Sequence, residues 1–329
     1  MSLVNATAFS ALDVPYLDYR GREVVIAIVK GAFEVDPSGV VRLSESPGEI
    51  RVNDVPYDPQ ATLGSLRFPS DVCEEKNGTD VVVVGHAISP KPVTSMDLGI
   101  KIRTLAVPLR VHGPRLFYKG VGGVLIGPAA AFERVAVVYE KAYGGATKDW
   151  GLVEERNLAG VGVAKRESDL VDTPAPQIEH PARPHTSAAD AHPPVGYGAI
   201  PGHWSPRKDH VGTIDAAWRE RRMPLLPENF DLRYMNVAHP SLILDKPLVP
   251  GDVVAITGMS EKPLVFSIPP FPIVIRGLFG VSPKVTVQPH IDTLLVLPEA
   301  RRIEIVARAS FPLGRGKNTL REVHVDVDS

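Results

Sequence analysis

The chain has one cysteine, Cys73, in 329 residues, so no internal disulfide can staple the fold. A lone thiol fits a reducing compartment, and a cytoplasmic protein is expected. The first residues, MSLVNATAFSALDVPYLDYRGRE, lack a basic start followed by an apolar run, so no signal peptide is read there. No segment approaches the roughly 20 apolar residues of a membrane span. Excess positive charge is also missing: a formal net charge of -2 removes the electrostatic footprint of a nucleic-acid binder. Long helices are disfavoured in turn, because 32 prolines and 28 glycines interrupt the chain throughout.

The motifs of several chemistries are incomplete. GRGKNT at 314 to 319 has the Gly-Lys pair of a phosphate loop, but Phe311 replaces its earlier glycine and Asn318 its Ser or Thr. GVGGVLIG at 120 to 127 puts Leu125 where a dinucleotide fingerprint needs glycine, and GMSEK at 258 to 262 lacks the last glycine of a nucleophile elbow. His180, His185, His192, His203 and His210 invite a metal hypothesis, yet their spacing gives no helical pair and no cysteine joins them. They are read as loop histidines, with no metal and no cofactor. His86, at the end of an apolar run, is read as a hydrogen-bonded structural histidine. Asp209 with Asp215, or Glu228 with Asp231, would suit a hydrolase only if the fold makes them converge.

What is present is strand. Residues 22 to 36, REVVIAIVKGAFEVD, are dense in β-branched residues, and DPSG before VVRL predicts a hairpin turn. VVVVGHAI reads as a central strand, apolar on both faces, and MDLGIKIRTLAVPLRVH alternates like a hairpin with one wet face. FERVAVVYEKAYGG reads as strand from its β-branched centre. From Asp252 onward, short apolar runs divided by Gly and Pro predict an antiparallel meander or sandwich. The expected fold is mainly β: antiparallel sandwich or barrel-like sheets with long loops and a few short helices. A β-rich lobe over 1–145, a loop-rich segment over 146–250 and a C-terminal antiparallel region over 251–329 are expected, as separate units or as one continuous domain.

The stretch from His192 to Pro240 differs from all of this. It holds two of the three tryptophans and dense charge, and within it Thr213 is expected to cap a short helix, TIDAAWRERR, with Trp218 inward and arginines outward. Long irregular segments in compact proteins serve as binding loops or as covers over a sheet.

Several blocks, in order along the chain, resemble a family of bacterial proteins long catalogued as a domain of unknown function and associated with type VI secretion as effector adaptors or chaperones. They are GREVVIAIVKGAFEV, SDVCEEKNGTDVVVVGHA, RVHGPR, VVYEKAYGG, the run from PVGYGAIPGHW to LRYMNVAHP, and IDTLLVLPEARRIEIVARASFPL. The chain departs at Gly113 to Phe117, where the family favours an aromatic near a glycine, aspartate and arginine, and at Asn157-Leu158, where it favours Asn-Pro. The resemblance implies a non-catalytic protein that binds a secreted toxic effector and helps seat it on a VgrG spike or its PAAR tip. It carries over no catalytic residue. Trp, Tyr and Arg dominate interface energetics, so Trp204, Arg207, Trp218, Arg219 and Tyr234 are candidate partner contacts. The alternative is that they pack the segment onto the sheet. The competing function is a β-rich hydrolase acting on carbohydrate or peptidoglycan.

Overall fold

A computed structural model describes residues 1–281 and 284–328. The β-branched run becomes the strand Glu23–Val35, buried over most of its length inside a seven-stranded sheet, one strand in from its edge. Branched side chains pack well on a pleated surface, and this strand is flanked by Ser10–Leu17 and by Arg302–Pro312. The sheet continues through Thr293–Leu297 and Thr79–Val83 to a two-residue edge strand, Ile243–Leu244. Val41–Leu43 folds back on the far end of Glu23–Val35, as the DPSG turn predicts. There the Asp36 carboxylate accepts the Ser38 and Val40 N–H groups, and Gly39 supplies the positive φ, +91°.

Two further sheets complete the core. One has five strands in the order Ile178–Glu179, Leu105–His112, Ser95–Ile102, Val253–Thr257 and Leu264–Ser267. The other has four, in the order Ser2–Asn5, Leu320–Val327, Ile273–Phe279 and Val285–Val287. One contiguous apolar cluster joins all three sheets, with Val25 and Ile305 from the first, Ile100 and Ile256 from the second, and Ile275 and Val325 from the third. The protein is therefore mainly β, with mostly antiparallel pairing. No sheet closes into a barrel among the described residues. Thr79–Val83 runs parallel to Thr293–Leu297, and Ser2–Asn5 parallel to Leu320–Val327. Strands from 251–329 enter the same sheets as strands from 1–145, because the core is built from faces that neither segment could cover alone.

The second face of the seven-stranded sheet is unlike the first. Register sets Asp80, Thr293, Val306 and Lys30 abreast across four strands, and directly opposed residues point to one face. That face carries a small apolar cluster around Ile26 and Ile28, then a layer of buried charge. Lys30 Nζ lies 2.7 Å from Asp71 and 3.1 Å from Glu304, which also binds Arg51 at 2.7 Å. Arg308 meets Asp292 at 2.7 Å and touches the Cys73 sulfur. Charges can be held out of water only when paired and hydrogen-bonded, and these are. The chain over 46–76 and the His192–Pro240 stretch cover this layer.

Three local expectations change. Residues 46–70 are loop except for the small ladder Val55–Pro56 with Leu66–Phe68. FERVAVVYEKAYGG divides into Phe132–Ala136, a tight helical turn at Tyr139–Lys141, and Tyr143–Ala146, because its apolar residues feed two different ladders. The helix covers only Ala216–Arg221, and its cap is Asp215, not Thr213: the Asp215 side chain accepts the Trp218 N–H at 2.8 Å. Thr213 is instead tied to Asn229 through its own N–H and hydroxyl.

Candidate functional site

The His192–Pro240 stretch is held against the sheet by specific bonds. The Tyr197 hydroxyl donates to the Val107 carbonyl at 2.7 Å, and its own carbonyl accepts the Val83 N–H. Trp204 has no exposed surface and stands edge-on to Tyr139, ring centres 5.5 Å apart. The strongest tie is Asp80, fully buried at the start of a central strand. Its carboxylate accepts from Lys76 Nζ at 2.7 Å, Asn236 Nδ2 at 2.9 Å and the Val237 N–H at 2.7 Å. Lys76 also donates to the Thr293 hydroxyl. A carboxylate receiving two cationic or amide donors and a backbone N–H is a strong clamp, because charge assistance roughly doubles each bond.

Arg207 sits where this clamped segment turns. Its Nε donates to the Tyr234 carbonyl at 3.0 Å, its Nη1 to the Ile200 carbonyl at 2.6 Å, and its guanidinium lies 5.1 Å from the Tyr234 ring centre. Nη2 has no protein acceptor among the described residues, and no carboxylate forms an ion pair with this arginine there. Burial pulls its pKa below the usual arginine value, while Tyr234, Asp54 and Asp80 oppose that from a distance.

Arg207 borders two cavities. The inner one, about 270 Å³, reaches the charged face of the sheet at Cys73 and Lys76 and is walled by Tyr16, Phe230 and Tyr234. Burial raises the Cys73 thiol pKa against the opposing pull of Arg308, so this sulfur is a buried thiol. The outer cleft, about 540 Å³, has apolar walls from Ala238, Pro240, Ile243 and Leu244, with Arg207, His210, Arg233 and Asn236 supplying polarity. Gly78 shapes its floor: a Cβ there would stand 1.9 Å from the Leu244 carbonyl, so only glycine lets the edge strand approach. Arg233 is already paired with Asp231, and His210 Nδ1 lies 3.9 Å from the same carboxylate.

Of the five candidate contacts, Arg207 borders both cavities, and Tyr234 lines the inner one with its ring beside the Arg207 guanidinium. Trp204 lies within the core beside them, with its indole N–H lacking an acceptor among the described residues. Trp218 is half-buried on the separate short helix, its indole donating to the Leu225 carbonyl at 2.9 Å, and Arg219 is exposed on that helix. The third tryptophan, Trp150, is 53% exposed and was not singled out by sequence. Only its type, in a Gly- and Lys-flanked loop, could have drawn attention.

The carboxylates considered for hydrolysis have local tasks. Asp209 accepts the Ser205 hydroxyl, Asp215 caps the helix, Asp231 pairs with Arg233, and Glu228 is exposed. Among the five loop histidines, His185 and His192 come together, ring centres 5.1 Å apart. His185 is buried on Tyr143, and its Nδ1 stands 3.5 Å from Glu179, which also binds His112 and Arg115. Burial alone would raise the Glu179 pKa, but the bonds from His112, His185 and Arg115 hold it far below the usual carboxylate range. No group of three or more His, Cys, Asp or Glu suited to a metal ion occurs among the described residues. His86 is hydrogen-bonded, as expected, to Glu299 at 2.6 Å. No described helix is long and apolar enough to cross a membrane.

Fold and site together define a mainly β protein whose sheet is overlaid by a clamped irregular segment, with an arginine-bearing cleft at the sheet edge. The chain belongs to a family described as an uncharacterized protein conserved in bacteria (DUF2169), whose model matches residues 20–308. No curated protein and no solved structure matches it.

Proposed function

We propose that this protein is a non-catalytic adaptor that binds another polypeptide through the cleft beside Arg207. The observation that carries the reading is the uncompensated guanidinium at the mouth of an apolar cleft. Arg207 is half-buried and pairs with no carboxylate among the described residues, and a guanidinium braced by backbone carbonyls is set for a partner's acceptor. Neighbouring apolar walls give the buried area that binding needs, and arginine is among the residues that dominate such interfaces. The resemblance of the blocks from Gly21 to Leu313 supports, as partner, a secreted effector of a type VI system. The adaptor would then hold the toxin in the cytoplasm and help seat it on the VgrG or PAAR spike.

Affinity capture of the tagged protein from a bacterium that produces it, followed by mass spectrometry, tests this reading. Recovery of a toxin or spike protein in near-stoichiometric amount is expected. Recovery of no specific protein from cells expressing the secretion genes would overturn it.

A further inference from the structure

We propose that the outer cleft binds a carboxylate carried on an apolar body, the chemistry of a polypeptide chain end or of an acidic side chain beside an apolar residue. The proposal rests on reading the chain as a binding protein and names what the cleft recognises.

The cations around the cleft are not equivalent. Arg233 is tied to Asp231, and His210 faces that same carboxylate. Lys76, behind the cleft, is occupied by Asp80 and Thr293. Arg207 alone of these has no carboxylate partner among the described residues; two backbone carbonyls hold its Nε and Nη1, which fixes its plane and leaves Nη2 without an acceptor there. Asp54 accepts the Ser70 N–H at 2.7 Å, and Asp245 lines the outer cleft; neither is ion-paired with Arg207.

A single unbonded guanidinium amino group suits a carboxylate better than a phosphate, which presents more charge and more oxygens than one remaining donor group can serve. Ala238, Pro240, Ile243 and Leu244 then cover the body behind the charged head, as in ligand sites generally, where a few polar groups orient a mostly apolar ligand. A cleft of about 540 Å³ is ample for an amino-acid side chain with its adjoining peptide unit.

The test is titration of the purified, isotope-labelled full chain, read from the shifts of its own amide NMR signals, with N-acetylleucine, N-acetylaspartic acid α-amide, N-acetylleucinamide and inorganic phosphate. The free acids should bind at least about tenfold more tightly than the uncharged leucinamide, and whichever acid binds better tells chain end from side chain. Equal binding of acid and amide, or binding of phosphate alone, would overturn the proposal. Arg207→Met should lose acid binding. Because Arg207 also braces two carbonyls, Leu244→Glu serves as the second variant: it keeps the arginine, supplies its own carboxylate, and should lose acid binding while the chain remains folded by circular dichroism. Retained binding in a folded Leu244→Glu chain would contradict the assignment. Failures separate cleanly. Acid binding without any captured protein leaves the cleft assignment standing and removes the adaptor reading. Capture of the same cargo by wild type and Leu244→Glu does the reverse.

Discussion

Asp80→Asn removes the charge from the clamp that fastens Asn236 and Val237 to the central strand. In the native protein the Asp80 carboxylate faces three donors and no acceptor. An amide turns one of its ends into a donor, so at least one of Lys76, Asn236 or Val237 loses its partner, and Lys76 stays charged without the carboxylate it pairs with. Breaking one side of a buried ion pair costs about 3–5 kcal/mol, well above the about 1 kcal/mol of an ordinary hydrogen bond. Urea unfolding should be followed in parallel by far-ultraviolet circular dichroism and tryptophan fluorescence, since Trp204 reports on the clamped segment. The expected result is a loss of about 3–5 kcal/mol, with recovery of at least about 1 kcal/mol when Lys76→Met is added to neutralise the stranded charge. A loss below about 1 kcal/mol would show that Asp80 does not clamp the segment.

Three other outcomes are expected. Trp204→Ala, which empties a fully enclosed site against Tyr139, should cost about 3–5 kcal/mol in the same assay. Glu179 has a folded-state pKa below its unfolded value, so its contribution is complete above about pH 5 and falls away as pH drops through the ordinary carboxylate range. Glu179→Gln should therefore be less stable at pH 7 and lose less stability between about pH 5 and pH 3 than wild type, read from urea midpoints. Cys73, buried and with a raised pKa, should react with a disulfide probe slowly in the folded protein and rapidly in urea. Fast stoichiometric labelling of the native chain would contradict its placement.

The strands were legible because their signals are local: β-branched density in Glu23–Val35, alternation in Ser95–Ile102 and Leu105–His112, and the Asp36 to Gly39 turn. Pairing was not, since nothing in the sequence of Thr293–Leu297 says that it lies parallel to Thr79–Val83. The charged face escaped for the same reason. Lys30 stands alone in an apolar run, and only register reveals that Glu304 and Asp71 meet it. Thr213 was a plausible cap by type, yet Asp215 lies two residues nearer the helix and reaches the free N–H. At the site, residue type singled out the unusual composition of His192 to Pro240. It could not separate Arg207, which borders a cleft, from Trp204, which is wholly buried against Tyr139.

Hydrogen exchange of the protein alone and in its captured complex tests the central claim most directly. Binding at the Arg207 cleft predicts new protection concentrated at Arg207 to His210 and Arg233 to Asp245, with little change at the exposed Trp150 loop or the hairpin tip at Val121. Protection confined to Trp150 or Val121, with the cleft unchanged, would contradict the account.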